Sequence, residues 1–247
     1  MPGYSQQQQT HAHSAAISTD ARSNASMQSI GMGNQAMQDQ IRQRQAMMEI
    51  ARGVSPESFE DRGLRSEIFA MALTAFHNAF EQGRSSSTTV TIIDYELPSK
   101  QKRLWVIDLL EKKVLFHEHT AHGRGSDPNH DGILDTVSNQ QDSHQSNVGL
   151  LVTQETYNGR HGKSLRMNGL EEGFNDNARE RAIVFHSSHY VNDQFIARHG
   201  KAGRSHGCPA LDPDVSGQLI ETIKNGTLVF AYHPNENWLQ NSSYLKD

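Results

Sequence analysis

Six short β-rich runs, at residues 89–94, 104–108, 114–120, 149–153, 182–186 and 228–232, are separated by clusters of Gly, Pro, Asn and Asp, with few long helical periods between them. A chain punctuated in this way leaves little room for alternating strand–helix–strand units, so a largely antiparallel β core is expected. Two helices frame it. Leu64, Ile68, Met71, Ala72, Ala75, Phe76, Ala79 and Phe80 recur at three- or four-residue spacing and form one apolar stripe, with Gly83 as its stop. Near the end, Asp212 can cap a second helix, Pro213 suits its first turn, Val215, Leu219, Ile220 and Ile223 form its stripe, and Gly226 ends it.

Residues 1 to about 50 have a different composition. They are rich in Gln, Ser, Ala, His and Met, with a run from Gln6 to Gln9, and carry almost no aromatic or β-branched residues. Such a segment buries too little apolar surface to offset its chain entropy, so it reads as largely disordered, with residues 34–50 able to become helical against a partner. The division expected is a Gln/Ser-rich tail over residues 1–60 and one folded domain over 61–247, which suits a chain of 247 residues. A net charge of -5 with interspersed signs gives no cationic footprint for nucleic acid. No apolar run approaches the roughly 20 residues that cross a bilayer, and the first 30 residues show no basic segment followed by an apolar core. The chain therefore reads as soluble, with no visible export signal.

The only cysteine is Cys208, which excludes an intramolecular disulfide and a multi-cysteine zinc site. It lies in Gly203-Arg204-Ser205-His206-Gly207-Cys208-Pro209-Ala210-Leu211, just before the late helix. Gly207 permits backbone angles that other residues resist and Pro209 rigidifies the exit, so one thiol and several backbone N–H groups are presented together. That arrangement suits a nucleophile beside an oxyanion hole. A free thiol with a pKa near 8.5 is only roughly 3 per cent ionised at pH 7 and needs a base. His186, at the end of the apolar run Ala182-Ile183-Val184-Phe185, stands on a strand end that can aim an imidazole at another segment. His206, two residues from the thiol, points less predictably and is assigned to shaping the loop or the substrate side of the cleft.

The tetrapeptide Ser205-His206-Gly207-Cys208, preceded by His186 after a hydrophobic strand, resembles the L,D-transpeptidase catalytic domain family (YkuD-like). Residues 104–108, 120–123, 146–149, 173–179 and 207–211 resemble more closely its murein L,D-transpeptidase branch, and the likeness covers roughly residues 65 to 235. The resemblance implies an α+β, mainly β fold, with a β-sandwich or barrel core, an N-terminal helix and a helix after the cysteine loop. It implies that Cys208 attacks the carbonyl between the third residue and D-Ala at position four of a peptidoglycan stem peptide, with His186 as base and the Ser187 carbonyl orienting the imidazole. Ser205, His206 and Gly207 would shape the nucleophile loop, and amides near Gly207 and Cys208 would hold the oxyanion. No cofactor is required. The better-known branch carries Gly after the first His and Arg two residues after the Cys, where this chain has Ser187 and Ala210. Arg204, Arg179 or Arg166 are then the candidates to bind stem-peptide carboxylates, because forked guanidinium donors match them.

Residues 127–135 place Asp127, Asn129, Asp131 and Asp135 at positions 1, 3, 5 and 9 of a loop with Gly132 at position 6, the front half of a calcium loop. Ser138 stands where the bidentate Glu belongs, so a structural calcium competes with a plain Asx-rich turn. The motifs leave transpeptidation and L,D-carboxypeptidation unseparated, because both use the same acyl-enzyme. The alternatives are a catalytically silent wall-binding module and an unrelated cysteine peptidase or amidase. A wall-acting enzyme without an export signal suggests an antibacterial effector, acting in the periplasm or cell wall and delivered by a specialised secretion or injection apparatus through residues 1–60. The stretch Gly31 to Met37 is the candidate loading segment.

Overall fold

The computed structural model describes residues 37–38, 41–42, 45–49 and 51–246. The chain divides into two units, Met1–Ala46 and Met47–Asp247. In the first, the described residues are helical and exposed. The expectations for the Gln run and for residues 31–36 lie outside the described residues. The second unit starts earlier than the boundary expected near residue 60. Met48, Ala51, Val54 and Phe59 are buried in its core, and Ser55 caps a 3-10 turn over Pro56–Arg62. The sparse apolar residues of this stretch conceal that role in the sequence, because each is a single anchor outside any periodic stripe.

The first long helix, α1 (Ser66–Glu81), buries Ile68, Phe69, Ala72, Leu73, Ala75, Phe76, Ala79 and Phe80. Each Phe removed from water contributes about 1.5–3 kcal/mol, so this one face fixes the helix on the sheet. The chain leaves it through Gln82 and Gly83, the latter at φ 74°. Strands β1 (Thr89–Asp94), β2 (Leu104–Asp108), β3 (Lys113–Glu118), β5 (Gly149–Gly159), β6 (Gly162–Gly169), β7 (Val184–Ser187), β9 (Ala210–Leu211) and β10 (Leu228–Tyr232) form one sheet in the order β3-β2-β1-β10-β5-β6-β7-β9. Two short strands, β4 (His122–Gly123) and β8 (Arg204–Ser205), pair with each other in parallel.

Most neighbours are antiparallel, but β1–β10 and β7–β9 are parallel. Side-chain alternation then builds two apolar layers from one sheet. Val90, Ile92, Leu228 and Phe230 face the core that holds α1, while Ile93, Val229 and Ala231 face a second core. Helix α3 (Pro213–Ile223) covers that second face with Leu219, Ile220 and Ile223. Asp212 caps it by accepting from the Asp214 amide at 2.9 Å; it ends at Ile223, before the glycine expected to stop it. Two helices not foreseen are α2 (Asp193–His199) and α4 (Glu236–Asn241).

The two edges of the sheet approach each other. Beyond β3, the Ala121 amide and the Thr120 hydroxyl both donate to the carbonyl of Ala210 in β9, at 3.2 and 3.0 Å. The fold is therefore α+β and mainly β, a mixed sheet nearly closed into a barrel. This seam matters for function: it fixes β9, and with it the loop that carries Cys208.

Candidate active site

Strand β7 supplies one wall of the site. Ala182, Val184 and His186, alternate residues leading into and along this strand, all line a cleft of about 440 Å³. The sulfur of Cys208 sits against the start of the same segment. Its thiol donates to the Ala182 carbonyl at 3.5 Å, and the Val184 amide donates to the sulfur. Ala182 holds φ 54°, a left-handed angle unusual for a residue with a Cβ. Parallel pairing of β7 with β9 sets His186 opposite Ala210, two residues after the cysteine. The strand register thus brings the His186 imidazole and the Cys208 thiol to one side of one cleft.

The imidazole of His186 is buried and oriented. Its Nδ1–H donates to the Ser187 carbonyl at 2.9 Å, leaving Nε2 as the unprotonated, basic nitrogen. Desolvation pushes its pKa below the ordinary 6.5, and nearby His161 and Arg160 add to that, against the Ser187 bond. Desolvation pushes the Cys208 thiol upward, opposed by the Val184 amide and the charge of Arg181. Burial thus works against the charged form of each group, the thiolate of Cys208 and the imidazolium of His186.

The loop that carries Cys208 is held by hydroxyls. Ser205 Oγ accepts from the Gly207 amide at 3.0 Å and lies 2.7 Å from the Cys208 carbonyl and 3.2 Å from that of His122, to either of which it can donate. The Gly123 amide donates to Ser146 Oγ at 3.0 Å, and that hydroxyl lies 3.4 Å from the Gly207 carbonyl. Gly207 holds φ 115°, and a Cβ there would stand 2.6 Å from the Gln145 carbonyl, so only glycine fits. His206 is exposed on the cleft rim, its ring 4.4 Å from that of His144.

Beneath the loop lies a buried polar network that sequence reasoning missed. Arg103, wholly buried, donates to the Thr120 carbonyl and to His122 Nδ1, the latter at 2.9 Å. That fixes the other tautomer on His122, whose Nε2–H donates to Asp127 Oδ2 at 3.2 Å. Desolvation, reinforced by Arg103, pushes His122 down to about 3. Although desolvation acts to raise it, Asp127 is held below the ordinary carboxylate value by His122 and by the amides of Asp131 and Gly132.

The same bonds answer the calcium-loop expectation. Both Asp127 oxygens are committed to protein donors, and Asp131 Oδ1 accepts from the Ile133 amide. Among the described residues no three His, Cys, Asp or Glu side chains are grouped to hold a metal ion. The stretch that holds Asp127, Asn129, Asp131 and Asp135 is folded as an Asx-type turn anchored on His122.

Of the arginines named from the sequence, Arg204 lines the cleft and donates to the Asp127 carbonyl. Arg179 and Arg166 do not line it. They converge on Glu155, Arg179 at 2.7 Å and Arg166 at 3.4 Å, with Arg166 also over the Tyr157 ring. The cleft instead holds Arg160 and Arg181. Arg181 donates to the carbonyls of Ser138 and Gln145 and to Ser143 Oγ, clamping the 138–145 segment beside the thiol. Arg160 and His161 form the two-residue tip of the β5–β6 hairpin, closed by the Gly159–Gly162 pair. Gly159 and Gly162, closely spaced around the turn, are the sequence signal that could have revealed this hairpin. The His161 ring stacks on His186 at 4.4 Å.

Residues 60–232 match the family described as L,D-transpeptidase catalytic domain. The chain belongs to that family. Among solved structures it is similar to an L,D-transpeptidase from Mycobacterium smegmatis, at 12% identity and TM-score 0.37, over 60% of this chain and 59% of that one. It is also similar to one from Stackebrandtia nassauensis, at 14% identity and TM-score 0.34, over 66% of each chain. The chain thus spans about three fifths to two thirds of the length of these structures. No curated protein matches it in sequence. No described helix is long and apolar enough to cross a membrane.

Proposed function

We propose that this L,D-transpeptidase-family protein is a cysteine acyltransferase acting on peptidoglycan stem peptides, with Cys208 as nucleophile and His186 as general base. The observation that carries the reading is the seating of the Cys208 sulfur against Ala182 and Val184, on the cleft-lining side of the segment that presents His186. In the first half-reaction His186 Nε2 takes the thiol proton while sulfur bonds to the carbonyl carbon of the third stem residue. The oxyanion that forms faces the Cys208 amide, because the Gly207 amide is committed to Ser205. The C–N bond to D-Ala then breaks, the proton passes from His186 to the departing amine, and a thioester remains. An acceptor amine completes transpeptidation by giving its proton to His186 and displacing the thiol; water in its place completes L,D-carboxypeptidation.

The directions of the two shifts fit this sequence of steps, since burial disfavours both charged forms and the ion pair is needed only once a carbonyl is in place. The test is incubation with tetrapeptide muropeptides followed by mass spectrometry, with Cys208→Ala and His186→Ala as controls. New cross-links indicate transpeptidation and loss of terminal D-Ala indicates hydrolysis. Unchanged muropeptides with folded protein would favour a wall-binding module. For delivery to the periplasm or cell wall, residues 1–46 are the proposed loading segment for an injection apparatus. A deletion ending at Ala46 is the proper test, because Met48, Ala51, Val54 and Phe59 belong to the core. Loss of delivery with activity retained supports the proposal, and unchanged delivery removes it.

A further inference from the structure

Three arginines and three histidines line the cleft, and no Asp or Glu does. Two of the three guanidinium groups have structural duties: Arg181 clamps the 138–145 segment and Arg204 holds the Asp127 carbonyl. Arg160 differs. It is exposed at the hairpin tip, and among the described residues its guanidinium meets His161 Nε2 at 3.5 Å, a contact that satisfies little of a five-donor fork. His161 in turn stacks on His186, so the guanidinium stands one ring away from the proposed base. Its charge is felt at both His186 and His206, the two imidazoles that flank Cys208 along the cleft. Ala210 in β9 is fully buried and offers no cation of its own.

We propose that Arg160 is a specificity-determining residue, the anion-recognition point of the cleft, and that its guanidinium binds a free carboxylate of the donor peptide. Resting on the acyl-transfer reading above, the inference adds which substrates the cleft selects. A largely unsatisfied fork beside the reacting centre matches a carboxylate in shape and charge and gains nothing from a neutral carboxamide. On a tetrapeptide donor that carboxylate belongs either to the terminal D-residue or to an acidic side chain on the third residue.

The experiment compares wild type, Arg160→Gln and Arg160→Lys on three tetrapeptides: one with both carboxylates free, one amidated at the terminus and one amidated on the third side chain. On the doubly free peptide, Arg160→Gln should lower kcat/KM about tenfold, chiefly through KM, with Lys intermediate. Amidation of the recognised carboxylate should cost wild type a similar factor and leave Arg160→Gln unaffected, which identifies the source. An Arg160→Gln defect equal on all three peptides, or absent from all, overturns the proposal. Binding of the same peptides to Cys208→Ala, with and without Arg160→Gln, is measured by calorimetry. Carboxylate-dependent binding through Arg160 without turnover by wild type would retain the subsite and overturn the acyl-transfer reading. Turnover without Arg160 dependence would overturn the subsite alone.

Discussion

Replacing Ser205 by Ala removes one hydroxyl that serves several groups at the turn of the loop that carries Cys208. The Gly207 amide loses its acceptor at 3.0 Å and the Cys208 carbonyl loses the hydroxyl at 2.7 Å, while the His122 carbonyl loses its neighbour at 3.2 Å. Each buried polar group left without a partner costs about 1–3 kcal/mol, and water entering from the adjacent cleft recovers part of it, so about 2 kcal/mol of loop ordering is lost. If that ordering is what keeps sulfur and oxyanion amide in register, kcat falls about 30-fold. The measurement is steady-state D-Ala release from a tetrapeptide, paired with thermal unfolding. Ser205→Thr keeps the oxygen on a strand position that accepts a branched Cβ, and should recover kcat to within about fivefold of wild type. A kcat for Ser205→Ala within twofold of wild type, at unchanged melting temperature, would refute the argument that this hydroxyl organises the loop.

Other consequences follow from the electrostatics. If neutral His186 is the base, as proposed, the acid limb of kcat/KM should lie below pH 6.5, because desolvation makes His186 harder to protonate; a limb above pH 7 contradicts this. With no substrate bound, alkylation of Cys208 should stay slow until above pH 9, the thiol being raised by burial. Arg181→Met should move that alkylation midpoint still higher and lower stability by about 1–3 kcal/mol, since the Ser138 and Gln145 carbonyls lose their donor. Acid stability should be governed in part by His122. Its folded pKa of about 3 lies below the ordinary 6.5, so between those values the unfolded chain binds the extra proton, and stability is lost as pH falls through that window. The slope is at most about 1.4 kcal/mol per pH unit for this group, and His122→Gln should flatten the urea-midpoint profile between pH 6.5 and 4.

The strands and helices legible in the sequence are those whose own residues decide them. β1, β2 and β10 occupy the expected spans because nearly continuous buried runs end at turn residues, and α3 begins at Pro213 because Asp212 and Pro213 satisfy its first turn. β6 is hidden in the sequence because its apolar side has only Leu165 and Met167, with Lys163 before them and Ser164, Arg166 and Asn168 on the other face, and β4, β8 and β9 are too short to show any period. Cys208 and His186, the two residues the motifs single out, both line the cleft. Of the arginines that line the cleft only Arg204 is legible, since whether an arginine is committed elsewhere depends on partners far along the chain, as Glu155 is for Arg179. Asp127 fits a calcium template by spacing, yet its partner His122 lies outside that template.

Covalent trapping on the sulfur tests the proposed chemistry most directly. Wild-type protein mixed with a tetrapeptide, quenched in acid within the first turnovers and digested, should yield the Cys208 peptide heavier by the mass of the tripeptidyl acyl group. The adduct should be absent from Cys208→Ala and should form at least about 100-fold more slowly in His186→Ala. Turnover of the peptide with Cys208 unmodified throughout, or by Cys208→Ala at the wild-type rate, would contradict covalent catalysis through this thiol.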